Sequence, residues 1–339
     1  MSERGPGVRT RRAPSLAVWL AALAAAALAT TLLAPATAEA APPIFTLSDP
    51  RSDDNGAGSL VYPLRDDLKP GDLDLIEFSA RREKDGTQFE VLFARPVRKP
   101  TRAPIDAGGT ALDWVARHGF YTFNVDVYID RDREKGLGST EMLPGRRAEV
   151  TPAFAWERAI CLTPVPHEAE ESLKRLRFDA AKERLKATSP RLDDAALDSL
   201  RQAVAADVKE RYFFPTRIRV GGSKVSFFVP DSVLGGPAQA DWGYVVVVTG
   251  AEVTQKVDVG AVVGVGKRPE PRLFMIPVRP SPSLESFGGG REDDSLEPHV
   301  IDVLVREGGV TQQAWLRDYD LRTGRGVKLP GVVPKDVVR

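Results

Sequence analysis

The chain has 339 residues, 42% of them hydrophobic, and its 47 basic side chains are balanced by 47 acidic ones. That composition excludes a disordered chain and leaves no net field to gather nucleic acid or an anionic membrane surface. The single cysteine, Cys161, excludes an intrachain disulfide and any zinc site built of several thiolates; set in the apolar run Ala159-Ile-Cys-Leu162, it reads as a buried inert thiol.

The first forty residues read as a secretory signal. Arg9, Arg11 and Arg12 make a basic start, residues 16–33 are apolar and uncharged, Pro35 breaks the stretch, and Ala38-Glu-Ala40 places small residues before a cleavage point after Ala40. The apolar stretch approaches the roughly 20 residues that cross a bilayer, so an uncleaved anchor is the competing reading. No cysteine follows it, which speaks against a lipid anchor. The expectation is an exported protein, in the periplasm, at the cell surface or secreted, with no membrane span once the signal is cut.

The densest polar cluster comes next, Asp49-Pro-Arg-Ser-Asp53-Asp54-Asn55-Gly56. Carboxylate and amide oxygens close in sequence, with a glycine permitting a sharp turn, suit a hard cation such as calcium. An EF-hand is excluded, because Arg51 and Tyr62 stand where its first and last acids belong. A calcium loop of another kind and an Asx-rich turn capping a strand both remain.

Strand signals dominate the chain after Ala41. The 27 prolines and 29 glycines indicate many turns. Residues 73–94, around Lys84-Asp-Gly86, read as a β-hairpin. Phe123, Val125, Val127 and Ile129 alternate with Asn124, Asp126, Tyr128 and Asp130, an acidic face of the kind exposed strands often carry. Further strands are expected at 217–220, 224–229, 244–249, 273–277, 300–305 and 312–316. Short strands at this spacing predict an antiparallel β-sandwich.

Residues 167–211 depart from that pattern. Leu173, Leu176, Ala180 and Leu185 recur at helical spacing before a break at Ser189-Pro190, and Ala196, Leu200, Ala203, Val204 and Val208 do so after it. This predicts an inserted helical hairpin whose apolar stripe packs on the sandwich, with a partner-binding coiled-coil arm as the alternative, since the stripe is modest and the outer face heavily charged.

Catalytic motifs are missing. Neither Gly288-Gly-Gly290 nor Gly264-Val-Gly-Lys-Arg268 meets the spacing of a phosphate loop. His118, His167 and His299 share no metal spacing, and there is no Gly-x-Ser-x-Gly elbow. A glycosidase carboxylate pair has no sequence spacing to betray it, so an unrecognised glycoside hydrolase stands as a third reading. Trp114, Trp156, Trp242, Trp315, Tyr62, Tyr128 and Tyr244 are candidates to stack on sugar rings, although aromatics in a sandwich mostly fill its core.

Several segments in order resemble one family. Phe45-Thr-Leu-Ser-Asp-Pro50 with Asp53-Asp-Asn-Gly56, Tyr62-Pro63, Pro70-Gly71 and Asp72-Leu-Asp-Leu75 resembles the opening of the glucodextranase C-terminal domain family. Val125-Asp-Val-Tyr-Ile-Asp130, Gly138-Ser-Thr140, Leu143-Pro-Gly145, Trp156-Glu-Arg-Ala-Ile160, Leu234-Gly-Gly-Pro237, Phe287-Gly-Gly-Gly290 and Val300-Ile-Asp-Val-Leu304 continue it. The resemblance implies a DOMON-like carbohydrate-binding β-sandwich over residues 41–330, with 167–211 as an addition and 331–339 as a tail. It implies a non-catalytic module for polysaccharide or cell-envelope glycan, and calcium held at Asp49, Asp53, Asp54 and Asn55, with Asp74 and Asp130 as further oxygen donors. The alternative is a periplasmic scaffold protein that uses the helical insertion. Glu285-Ser286 stands where the family places an aromatic, so the sugar-facing residues are not named by the resemblance.

Overall fold

The computed structural model describes residues 42–99, 116–134, 137–188, 192–253, 271–291, 296–306 and 308–337. The signal segment, Trp114, the Ser189-Pro190 break and the loop at 264–268 lie outside the described residues. The chain order begins β1 (Pro43–Ser48), β2 (Leu75–Glu83), β3 (Gly86–Phe93), β4 (Phe123–Asp130), β5 (Ala148–Val150) and β6 (Arg158–Leu162). Helices α1 (Pro166–Thr188) and α2 (Asp194–Arg211) follow, then β7 (Tyr212–Phe213), β8 (Ile218–Gly221), β9 (Lys224–Pro230) and the single turn α3 (Asp231–Leu234). The chain closes with β10 (Gly243–Gly250), β11 (Asp302–Val303), α4 (Gln312–Leu316) and β12 (Val327–Leu329).

Two five-stranded sheets make the sandwich, one ordered β1-β2-β3-β9-β8 and the other β11-β10-β4-β6-β7. All pairings in them are antiparallel except β6 with β7. The first sheet has one wet face, so its strands alternate: Val225, Phe227 and Val229 point inward while Lys224, Ser226 and Phe228 stay half-buried outside. The β2–β3 hairpin turns through Lys84-Asp85, where Asp85 takes a φ of 62°. Phe45, Phe78, Phe89, Phe93 and Phe227 from this sheet meet Phe123, Val125, Val127, Ile129, Val246 and Val248 from the second in one core.

The second sheet is buried on both faces. Its far side carries Tyr128, Ala159, Cys161, Val245 and Val247, packed under Leu173 and Val208 of the helices, Leu316 of α4, and Val150, Val327 and Leu329 of the small parallel β5–β12 pair. Double burial explains why β10 reads as a continuous valine run and why all eight residues of β4 are buried. The acidic face of β4 is therefore not exposed, contrary to expectation, and its polar groups find internal partners, Asn124 Oδ1 excepted. Asp126 takes a bidentate ion pair from Arg146 at 2.7 and 3.1 Å, both residues being shut off from solvent. Asn124 donates to Thr249 Oγ1 and to the Phe274 carbonyl.

Two expected strands take other forms. Residues 312–316 form α4, because Thr311 caps it by accepting from the Ala314 N–H, and five residues are too few for alternation to separate strand from helix. Residues 273–277 make only an isolated bridge, Ala251 to Met275. The helical hairpin is present between β6 and β7. Its burial is confined to the base, at Pro166, Ala169, Ser172, Leu173 and Val208. Ala180 and Ala203 are exposed, so the predicted stripe packs on the sandwich only at that end. The segment set apart as a tail is knitted in: Val332 exchanges two backbone hydrogen bonds with Tyr244, at 2.8 and 2.9 Å.

Candidate metal centre

One end of the sandwich gathers carboxylates from three distant stretches of chain. Asp49 directly follows strand β1, and its N–H donates to the Ile76 carbonyl. The chain then loops through residues 50–56, with Ser52 at φ 65° and Gly56 at φ 56°. Gly56 is required here, because a Cβ would meet the Val300 carbonyl oxygen at 3.2 Å as well as strain the backbone. Gln312, fully buried, fixes the loop from α4. Its amide donates to the Asp53 carbonyl, and its Oε1 accepts from the Val303 N–H at 2.8 Å.

Within this frame Asp49, Asp53 and Asp302 each offer an oxygen, and the three atoms lie within 4.8 Å of one another. All three residues are buried, Asp302 completely. Asp74 stands beside them, close enough for its charge to act on each. The carboxylates share one arrangement. Asp49 Oδ1 accepts from the Val305 N–H at 2.6 Å, Asp302 Oδ2 from the Leu75 N–H at 2.7 Å, and Asp74 Oδ2 from the Ser52 N–H at 2.9 Å. The other oxygen of each, together with Asp53 Oδ1, is buried without a hydrogen-bond partner. Buried oxygens are normally satisfied, so an unpartnered buried oxygen on each of these four neighbouring aspartates, three of them in one cluster, is an unusual and costly feature in a protein without a bound cation.

The protonation equilibria reflect that cost. Burial, reinforced by Asp53 and Asp74, pushes Asp49 up to about 9. Burial and Asp74 raise Asp53 to about 6. Asp302 is driven far above the usual carboxylate range by burial and by Asp49 and Asp53, and Asp74 is raised by burial and by Asp54. An oxygen-only set of this kind is the donor chemistry of calcium.

The sequence-predicted donors divide. Asp49, Asp53 and Asp74 come together here. Asp54 points elsewhere: its Oδ2 accepts from the Tyr62 hydroxyl and from the Gly71 N–H at 2.6 Å. Asn55 Oδ1 accepts from Gln313 Nε2 at 3.1 Å. Asp130 sits at the end of β4, paired with Arg133 at 3.0 Å, in a second acidic group with Asp132 and Glu157. Asp302 completes the first group and is not among the sequence candidates. Its signal is a lone acid inside the apolar run Val300-Ile-Asp-Val-Leu-Val305.

The candidate sugar-stacking aromatics are largely structural. Trp156, Tyr128 and Tyr244 are buried, Trp242 and Trp315 pack against the two cores, and Tyr62 rests edge-on against Phe287. No aromatic is among the exposed large hydrophobic residues of the described chain. The clustered carboxylates are also no glycosidase pair in this arrangement, since each is at most 9% exposed and no sugar reaches it.

Fold and site together define a β-sandwich module with a buried acidic centre and no catalytic constellation among the described residues. Residues 44–330 match the family model of the C-terminal, SLH-like binding module of glucodextranase, and the chain belongs to that family. It is thus a member of a family of binding modules rather than of catalytic domains. No curated protein matches the chain.

Proposed function

We propose that this chain is an exported, non-catalytic module that binds polysaccharide or cell-envelope glycan and is stabilised by calcium held among Asp49, Asp53, Asp74 and Asp302. Family membership over residues 44–330 carries the binding role. The signal-like first forty residues support export. The four unpartnered oxygens support the cation, which would replace mutual repulsion by attraction and tie the 49–56 loop to the start of β2 and to β11. Arg51 and Arg95 offset part of the remaining charge near Asp74.

One observation favours a second reading, a scaffold that holds another protein on the helical hairpin. Beyond its base the hairpin carries a groove of about 350 Å³ lined by Lys174, Arg175, Phe178, Arg201, Val204 and Ala205 among others.

Pull-down on insoluble polysaccharides, with a glycan array beside it, separates the two. Retention on at least one glycan in calcium, weakened by EGTA, is the expected result. No retention on any glycan, with a co-purifying protein that is lost when residues 175–204 are removed, would establish the scaffold reading instead.

A further inference from the structure

We infer that the helical hairpin pairs with the hairpin of a second copy of this chain, α1 against α1 in antiparallel register, about a twofold axis near residue 177. The charges of one open stripe carry the inference. In α1, Glu168, Glu171, Arg175, Asp179, Lys182 and Lys186 recur every three or four residues and so share a face about 27 Å long. The side that packs on the sandwich, with Ala169 and Leu173, points the opposite way. Glu171, Arg175, Asp179 and Lys186 are exposed. Two shallow cavities of about 360 and 350 Å³ lie along the face, both bordered by Glu171 and Arg175.

From its start the stripe runs acidic, acidic, basic, acidic, basic, basic. A twofold axis near residue 177 sets Glu168 against the partner's Lys186, Glu171 against the partner's Lys182 and Arg175 against the partner's Asp179, each pair occurring twice. Every pair is of opposite sign, so the surface complements itself, as an isologous dimer requires. Parallel register would set each charge against its own kind.

The contacts these side chains make within the chain leave them available. Arg175 and Asp179, nearest the axis, have no ion pair among the described residues. Glu168 meets Arg117 at 2.9 Å, Glu171 meets Lys174 at 2.8 Å and Lys186 meets Glu183 at 3.0 Å. Pairs so near the surface are worth little and exchange readily. Phe178, half-buried and one residue from the axis, has the Arg201 guanidinium 5.1 Å from its ring centre. With Val204 and Ala205 of α2 it lines the groove with apolar surface, the centre that a charged rim encloses in a stable interface. The pairing is independent of the ligand the module takes. On a repetitive ligand, two modules per particle raise avidity without any new contact.

Sedimentation velocity of the full chain, over about a hundredfold range of concentration, tests the pairing. Arg175→Asp and Asp179→Arg are compared with wild type and with the double exchange, and melting curves confirm that each is folded. Wild type is expected to form a dimer that weakens as salt rises. Each single exchange sets like charges together at two places and weakens the dimer about tenfold. The double exchange restores both pairs with their signs reversed and returns the dimer to within about threefold of wild type. A dimer unchanged in both single variants overturns the pairing, as does a wild type that stays monomeric at every concentration. A protein that co-purifies with such a monomer only while residues 175–204 are present would then be the occupant of the groove.

Discussion

Asp302 shows how much one residue can hide in a sequence. It sits 249 positions from Asp53, and its run reads as an ordinary buried strand. Asp49 and Asp53 are legible because acids crowd a short loop, whereas Asp302 becomes a candidate only when β11 is laid beside β10 and the 49–56 loop. The general signal is physical: a carboxylate inside an apolar run must find a partner or stay protonated. Asp302→Asn keeps the acceptor for the Leu75 N–H and removes one charge. In EGTA this variant melts at or above the wild-type temperature, and in calcium it loses more than half of the calcium-induced rise, measured by thermal unfolding. A full calcium response in the variant would remove Asp302 from the donor set. Asp126 answers the same problem differently, through Arg146. Arg146→Leu leaves that carboxylate buried and unpaired, at a cost of about 3–5 kcal/mol in urea unfolding. Adding Asp126→Leu recovers most of the loss.

At the scale of elements, legibility follows exposure. Strand β9 alternates buried with half-buried residues, so alternation reveals it nearly to its ends. The second sheet has no wet face, and sequence reading mistakes the internal polar face of β4 for an exposed one because the layer above it comes from α1, α4 and β12, remote in sequence. Periodicity finds both helices, but it does not say how far they lie on the sheet. The structure confines that contact to the base, which predicts an uneven response to truncation. Leu173→Ala, at a fully buried position, costs about 2–5 kcal/mol in denaturant unfolding. Leu185→Ala, toward the tip and outside the buried base, costs under about 1 kcal/mol. Equal losses would mean that the hairpin packs along its whole length.

For the whole molecule, the acidic centre and His299 make stability depend on pH in opposite directions. The folded-state values of Asp49 and Asp53 are raised to about 9 and about 6, so without a cation the folded protein holds protons that the unfolded chain releases. The stability they contribute is present near pH 4 and is lost as pH rises through 6 and toward 9. His299, buried among Arg147, Arg272 and Arg279 and held neutral with its pKa lowered to about 2, works the other way. Its contribution is present above its unfolded value of 6.5 and is lost as pH falls below it. Comparing calcium with EGTA at one pH cancels the histidine and isolates the carboxylates.

The family match establishes a binding module, and the cation is what the proposed account adds to its architecture. Melting temperature measured in calcium and in EGTA, at pH 5 and at pH 8, tests that addition most directly. Calcium competes with protons for the same oxygens, so its stabilisation is larger at pH 8, about 5 °C or more at saturating concentration, and smaller at pH 5. Identical melting temperatures with and without calcium at pH 8 would contradict the account.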